Sequence, residues 1–279
     1  MTDSQTLFVG RNVIRLDTVN STNTYATNQL AKSRLPEGTA FVAAEQTQGR
    51  GYSGNEWQSE KGKNLLLSVV LYPGWLGVGE QFWLSMAMGL GVRDAVSGLQ
   101  DSGWRVSGSR DHVECANPKP VTRQPEPSVT IKWPNDLYLG DRKAGGMLIE
   151  NTLSGGKIQS SIVGIGLNVN QLAFPGDLPN PTSLALAAGR PFDLDVVADA
   201  LFERLEQRYL QLKAGRRAEL KSDYLAALYR FGAASEFVRA ADGAVFSGTI
   251  RGVTEAGWLQ LETEAGLECF EVKQLRFAP

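Results

Sequence analysis

Leu65, Leu66, Leu67, Val69, Val70 and Leu71 form an almost unbroken apolar run, interrupted at Ser68. A run this short and continuous predicts a strand over residues 64–72 that is buried on both faces. Upstream, residues 6–16 alternate roughly as a strand, and 39–44 form a short apolar one. Between them Asn20-Ser21-Thr22-Asn23 is a cluster of N-cap formers ahead of a helical stretch towards Leu30. Downstream, Phe82, Leu84, Met86, Leu90, Val92 and Val96 are spaced for a mostly buried helix over residues 81–99. Gly89 and Gly91 lie within it and lower its intrinsic propensity.

The second half repeats the contrast. Residues 129–133 and 136–139 read as short strands around the turn signal Pro134-Asn135, and 143–150 and 160–169 as two more. A helical region covers 194–229, broken near Gly215. The tail alternates again, with turns at Asp242-Gly243, Glu255-Ala256-Gly257 and Ala265-Gly266, and predicts a small β-barrel. The pattern divides the chain into an α+β domain, residues 1–233, and a compact β-domain, residues 234–279. Residues 101–128 carry Pro118, Pro120, Pro125 and Pro127 among scattered charges and read as a long surface loop.

Composition narrows the function classes. The 279 residues are 42% hydrophobic and 21% charged, with a net charge of −2, which is ordinary for a soluble globular protein and offers no basic field for nucleic acid or an anionic membrane. Cys115 and Cys269 lie far apart with no C-x-x-C partner, which argues against a disulfide scaffold or structural zinc. The single histidine, His112, reads as an exposed loop residue rather than a catalytic base. The first residues lack the basic-then-apolar order of a signal peptide, and no apolar run is long enough to span a bilayer, so a cytoplasmic protein is expected.

Three segments carry candidate chemistry. Gly49-Arg50-Gly51-Tyr52-Ser53-Gly54, with Trp57 after it, matches G-x-G-x-x-G literally. A dinucleotide fold needs the last glycine to open a helix, and here a polar stretch and then a strand follow, so the nicotinamide oxidoreductase reading fails. A loop whose amides and Arg50 close over an anion fits better, although a plain surface turn explains the segment taken alone. Lys132-Trp133-Pro134-Asn135-Asp136, followed by Lys143-Ala144-Gly145-Gly146, places two lysines, an amide and a carboxylate on strand ends. Lys143 before small residues suits a cation aimed into a tight pocket, where it would neutralise charge developing on oxygen. Gly164-Ile165-Gly166-Leu167-Asn168 is a strand whose small residues would let a ligand lie against the backbone, and a core strand with an exposed end reads equally well.

Together and in this order, Ser21-Thr22-Asn23, Glu45 to Gly51, Gly54 and Trp57, Lys132 to Leu137, Asp141-Arg142-Lys143 and Gly164 to Asn170 resemble the biotin protein ligases. The similarity covers most of residues 18–190. The resemblance implies a class II aminoacyl-tRNA-synthetase-like catalytic domain with a mixed sheet, followed by an SH3-like β-barrel. It further implies that biotin's carboxylate attacks the α-phosphate of Mg-ATP to give biotinyl-5′-AMP. A lysine of a carrier, the biotin carboxyl carrier subunit of acetyl-CoA carboxylase, then takes the acyl group. By motif position, Lys143, Arg50 and Asp136 are implied as catalytic. Ser21, Thr22, Asn23, Gln46, Arg50, Gly51, Tyr52, Lys143 and Gly146 would meet biotin, and Gly49, Gly54, Trp57, Lys132, Asn135 and Asn168 the nucleotide. ATP and Mg²⁺ are the implied cofactors, with no protein ligand assigned to the metal and the choice between monomer and homodimer open.

The chain departs from the family pattern in three ways. After Gly51 the family continues with arginines, where this chain has Tyr52, Ser53 and Asn55, and weaker retention of the adenylate is expected. The 101–128 loop is longer than the family needs. Too few residues precede Ser21 for a helix-turn-helix, so an enzyme without operon-repressor activity is expected. Lipoate or octanoate ligases and transferases, and a non-catalytic biotin sensor, are the alternatives.

Overall fold

The computed structural model describes residues 6–101, 127–176 and 178–278; most of the expected 101–128 loop, with His112 and Cys115, lies outside them. The chain opens with β1 (Val13–Val19), α1 (Thr22–Leu30), β2 (Ala40–Gln46) and β3 (Leu65–Leu71). Next come α2 (Gln81–Asp101), the hairpin β4 (Val129–Lys132) and β5 (Asp136–Leu139), and the longer hairpin β6 (Arg142–Ser154) and β7 (Lys157–Leu167). These strands make one seven-stranded sheet in the order β1-β2-β3-β7-β6-β5-β4. Only β1 and β2 pair in parallel, with α1 as their crossover, so the sheet is mixed as expected.

β3 is buried throughout because both faces of the sheet are covered at its centre. Leu65, Leu67, Val69 and Leu71 join the main core with Leu84 and Met88 of α2, whereas Val70 faces the other way, against Ala26 of α1, Phe41 and Ile162. The helices α3 (Leu184–Ala188), α4 (Leu194–Lys213) and α5 (Arg217–Ala227) follow, with α4 lying on α2. Gly91 makes that approach close: a β-carbon there would stand 3.0 Å from Leu205 Cα. The residue that weakens α2 as an isolated helix therefore improves its packing. Short α3 had no counterpart in the sequence pattern; the Ser183 hydroxyl caps it by accepting from Leu186 N–H.

Two boundaries differ from the expectation. The first strand starts at Val13, because the backbone N–H groups of Leu7, Phe8 and Val9 are taken by the buried Glu206 carboxylate at 2.6, 2.7 and 2.9 Å. The hairpin of β6 and β7 runs on to Ser154 and Lys157, around Gly155 and Gly156 with φ of 57° and 75°. Two adjacent residues in the left-handed region make a tight hairpin turn that glycine adopts without strain.

The tail forms a second, five-stranded antiparallel sheet from β8 (Ala234–Arg239), β9 (Val245–Val253), β10 (Leu259–Thr263), β11 (Gly266–Phe270) and β12 (Leu275–Phe277). Their order is β11-β10-β9-β8-β12. Phe237, Ile250, Leu259 and Leu261 fill its interior. It meets the first sheet where the buried Trp133 Nε1 donates to the Gly257 carbonyl at 2.9 Å. Among the described residues no helix is long and apolar enough to cross a membrane.

Candidate active site

The sheet register assembles a patch of missing side chains. Gly164 on β7 stands between Ser68 of β3 and Leu148 of β6, and Gly166 between Leu66 and Gly146. Gly146 in turn faces Asp136 across β5 and β6. A β-carbon on Gly164 would lie 2.3 Å from Asn23 Oδ1, and one on Gly166 2.4 Å from the Trp57 indole. Only glycine admits groups this close to the sheet, so the amide of Asn23 and the ring of Trp57 lie directly on the backbone.

Around that floor the walls come from five segments. The start of α1 supplies Ser21, Thr22 and Asn23, the end of β2 supplies Gln46, and the glycine-rich loop supplies Arg50, Gly51, Tyr52 and Trp57. The hairpin of β4 and β5 supplies Asn135 and Asp136, and β6 supplies Lys143, Gly146, Met147 and Leu148. The enclosed space, with its mouth, is ≈ 460 Å³. All of the residues expected at biotin line it.

One end of the pocket is a chain of neutral polar groups. Gln46 Oε1 accepts from the Thr22 backbone at 2.7 Å and from the Thr22 hydroxyl at 3.0 Å. The Ser68 hydroxyl lies 2.7 Å from Thr22 Oγ1 and 2.6 Å from Asn23 Oδ1. Asn23 Nδ2 donates to Leu148 O at 3.2 Å and to Glu150 Oε2 at 2.7 Å. Ser21 takes the N-cap position of α1 yet makes no side-chain capping bond, so its hydroxyl stands ready for a ligand. Ser21, Thr22, Asn23 and Ser68 are almost fully buried, where a polar group must be paired, and with Gln46 they suit a small neutral head with donors and acceptors.

The other end is charged. Lys143 Nζ pairs with Asp136 Oδ1 at 2.7 Å across the hairpin. Asn135 is tied to β6 by two bonds to Met147, one through its side-chain amide and one from Met147 N–H to its carbonyl at 3.0 Å. Gly146 leaves room for the ion pair, since a β-carbon there would sit 3.2 Å from Asp136 Oδ1 and 3.7 Å from Lys143 Cε. Arg50 Nη2 bonds Glu150 Oε2 at 2.6 Å, which ties the glycine-rich loop to β6.

The residues expected at the nucleotide are more scattered. Trp57 and Asn135 line the pocket, with the buried Trp57 Nε1 lacking a hydrogen-bond partner. Gly49 and Gly54 line an adjoining open groove. Gly49 is held against Trp57, whose N–H it accepts at 2.9 Å, and Gly54 takes a φ of 90° in the turn that follows. Lys132 and Asn168 lie outside the pocket. Lys132 Nζ donates to Tyr138 Oη at 3.0 Å and lies 4.8 Å from the Phe277 ring, and burial pushes its ammonium below the usual lysine range. Asn168 Nδ2 is used on the Thr182 carbonyl at 3.0 Å, bracing the segment that leads into α3. Sequence reasoning missed Ser68 and Glu150. The first was signalled by a lone hydroxyl inside an apolar strand; the second, four positions before the end of β6, carried no local signal.

A second opening of ≈ 1000 Å³ adjoins the pocket through Tyr52, Asn135 and Met147, and Gly257, Trp258, Val272 and Lys273 of the tail form its far wall. Among the described residues no group of three or more metal-binding side chains occurs.

Comparison with known proteins agrees with this architecture. The model of the Biotin/lipoate A/B protein ligase family matches residues 16–168. The chain is 29% identical over 270 residues to the bifunctional ligase/repressor BirA of Bacillus spizizenii, covering 95% of this chain and 73% of the relative. It is likewise 29% identical over 265 residues to the biotin–[acetyl-CoA-carboxylase] ligase of Paracoccus denitrificans, covering 91% and 98%. Among solved structures, the biotin protein ligase from Aquifex aeolicus in complex with biotin and ATP superposes with a TM-score of 0.72 at 26% identity, covering 96% of this chain and all of that one.

Proposed function

The chain belongs to the biotin/lipoate A/B protein ligase family, and from that premise we propose that it activates biotin with ATP and transfers it to a lysine of a biotin carboxyl carrier protein. The observation that carries this reading is the polarity of the one pocket. Its neutral end, from Ser21 to Gln46, matches a ureido head, and its cationic end, Arg50 and Lys143, matches a carboxylate becoming an acyl phosphate. A lipoyl or octanoyl chain would bring no donor or acceptor to the polar groups at the first end, the uncapped Ser21 hydroxyl among them, which disfavours the sister activity. The intact ion pair of Lys143 with Asp136 supports catalysis over mere sensing.

In the first half-reaction a carboxylate oxygen attacks the α-phosphorus and the bond to pyrophosphate breaks. An ammonium has three donors, so the Lys143 bond to Asp136 leaves two for the reacting oxygens. Arg50 adds charge from the loop side, while Asp136 holds Lys143 in place. In the second half-reaction the carrier amine attacks the acyl carbon, AMP leaves with the electron pair, and the amine gives up its proton to the Asp136 carboxylate. Asp136 is the carboxylate that orients this amine, with its approach through the opening beside Asn135. Residues 1–233 hold the substrates in this reading, and residues 234–279 wall that opening. Asp136 and Glu150 are each paired with a cation, so Mg²⁺ would travel with the phosphate oxygens and water rather than in a protein cage. In this reading the reaction is cytoplasmic, with biotin, ATP and a carrier as partners and without nucleic acid.

The test is pyrophosphate release from Mg-ATP with biotin or lipoate, followed by mass spectrometry of an added carrier domain. Biotin-dependent pyrophosphate with one biotin gained by the carrier is the expected result. Turnover with lipoate alone would assign the sister activity, and tight biotin binding without turnover a sensor.

A further inference from the structure

Glu150 lies outside the pocket wall, yet a single oxygen of its carboxylate touches both ends of the site. Oε2 accepts from Asn23 Nδ2 at 2.7 Å and from Arg50 Nη2 at 2.6 Å. Asn23 belongs to the neutral end and Arg50 to the cationic end. Within the loop that carries Arg50, Gly51 N–H bonds Asn55 O at 2.7 Å, Trp57 N–H bonds Gly49 O at 2.9 Å, and Arg50 bridges to Glu56, while the Trp57 ring lies on the sheet at Gly166. Between Gly49 and Trp57 the bond to Glu150 is, among the described residues, the one ion pair to the sheet; further along the same connection Lys61 pairs with Asp17 and Glu45. Glu150 itself sits on β6, in the long hairpin that forms the middle of the sheet, and is therefore the fixed partner.

We infer that Glu150 is a positioning residue that couples head-group recognition to closure of the glycine-rich loop. The inference rests on the ligase reading and assigns within it a residue that touches neither substrate. With Oε2 accepting from it and Leu148 O as its second acceptor, Asn23 Nδ2 has both protons used, which fixes the amide so that Oδ1 faces Ser68 and the pocket. The same carboxylate draws one Arg50 nitrogen towards β6, so that the rest of the guanidinium fork faces the site. The two tasks differ in what they need. Holding Asn23 takes only an acceptor oxygen, whereas holding Arg50, whose side chain is 45% exposed, takes a charge to compete with water.

That difference sets the experiment, made on the full chain with Glu150→Gln and Glu150→Ala. Glu150→Gln keeps an acceptor for Asn23, so biotin affinity by calorimetry stays within about threefold of wild type. Loss of the charge frees the loop, so trypsin cleavage after Arg50 rises by about fivefold and release of preformed adenylate by about tenfold. Raising the salt concentration speeds adenylate release in the wild type and leaves the Gln variant nearly unchanged. Glu150→Ala loses both functions, with biotin affinity falling by about tenfold as well. Biotin affinity lost equally in both variants, together with a lowered Tm, would reduce Glu150 to a structural residue and overturn the coupling. So would a Gln variant that matches wild type in cleavage and release. A wild-type protein that forms no adenylate overturns the ligase reading and the coupling with it; wild-type turnover with an unchanged Gln variant overturns the coupling alone.

Discussion

Lys143 Nζ lies 2.7 Å from Asp136 Oδ1, and the two side chains are 34% and 26% exposed, so the cation is held at the pocket wall but open to a ligand. Replacing Lys143 by Ala removes the charge that meets the reacting oxygens, and adenylation should fall by about two orders of magnitude or more. Asp136→Asn keeps an oxygen for Lys143 Nζ but not the carboxylate, so it should lower pyrophosphate release by less than Lys143→Ala does and slow transfer to the carrier by about tenfold or more, since only the second half-reaction moves a proton off an amine. Single-turnover assays of the two half-reactions separate these outcomes. Near-normal adenylation by the Lys143 variant would end its assignment.

Ser68 is fully buried and stands within hydrogen-bond distance of both Thr22 and Asn23. Ser68→Ala takes away the link between them without opening a large cavity. Biotin should bind more weakly by about 1–2 kcal/mol, roughly a factor of five to thirty, and kcat should change less than KM. Calorimetric titration with biotin checks this directly.

Tyr52 occupies the loop position where the resembling family carries an arginine, and 41% of its surface is exposed. In the proposed reaction Arg50 is then the loop cation that meets the acyl phosphate, and it is shared with Glu150. Tyr52→Arg should slow adenylate dissociation by about tenfold through an added charge-assisted bond. A chase experiment with labelled adenylate measures it, and an unchanged rate would show that the loop's charge is not what retains the intermediate.

Glu80 carries a pH prediction. Gly77 N–H first, and the Arg217 guanidinium next, hold its carboxyl below the usual 4.5. A carboxylate with a depressed pKa in the folded state contributes stability that is full above about 4.5 and is lost as the pH falls through its lowered value. Glu80 ties the start of α2 to α5 through the 2.6 Å pair with Arg217. Glu80→Gln should therefore lower Tm at neutral pH and flatten its decline on the acid side. Thermal melts from pH 7 down to about pH 3 test the slope.

Much of this was written in the chain. Continuous burial of β3, the capping cluster before α1 and the alternation of the tail each follow from local pattern, and the α+β architecture with it. The residues expected at biotin, which line the main pocket together, sit in motifs and were legible as a group for that reason. What pattern could not convey is pairing across distance. Ser68 looks like a flaw in an apolar run until register sets it beside Gly164 and beneath Asn23. Glu150 is an unremarkable carboxylate on a strand until the loop, 100 positions earlier, folds back on it. Residues 7–9 look like strand because nothing local reveals that Glu206, almost 200 positions later, takes their N–H groups.

Gly164 and Gly166 make the floor of the pocket out of absent atoms, and neither has the left-handed backbone that only glycine accepts. Alanine at either position would leave the strand's own geometry intact while its methyl collided with Asn23 or Trp57. The usual relation between mutation and damage is thereby reversed, since the harm expected here comes from gaining a carbon rather than losing a contact. Alanine at Gly164 or Gly166 should keep the strand and lose ligand binding, a blank for binding measurements on this site.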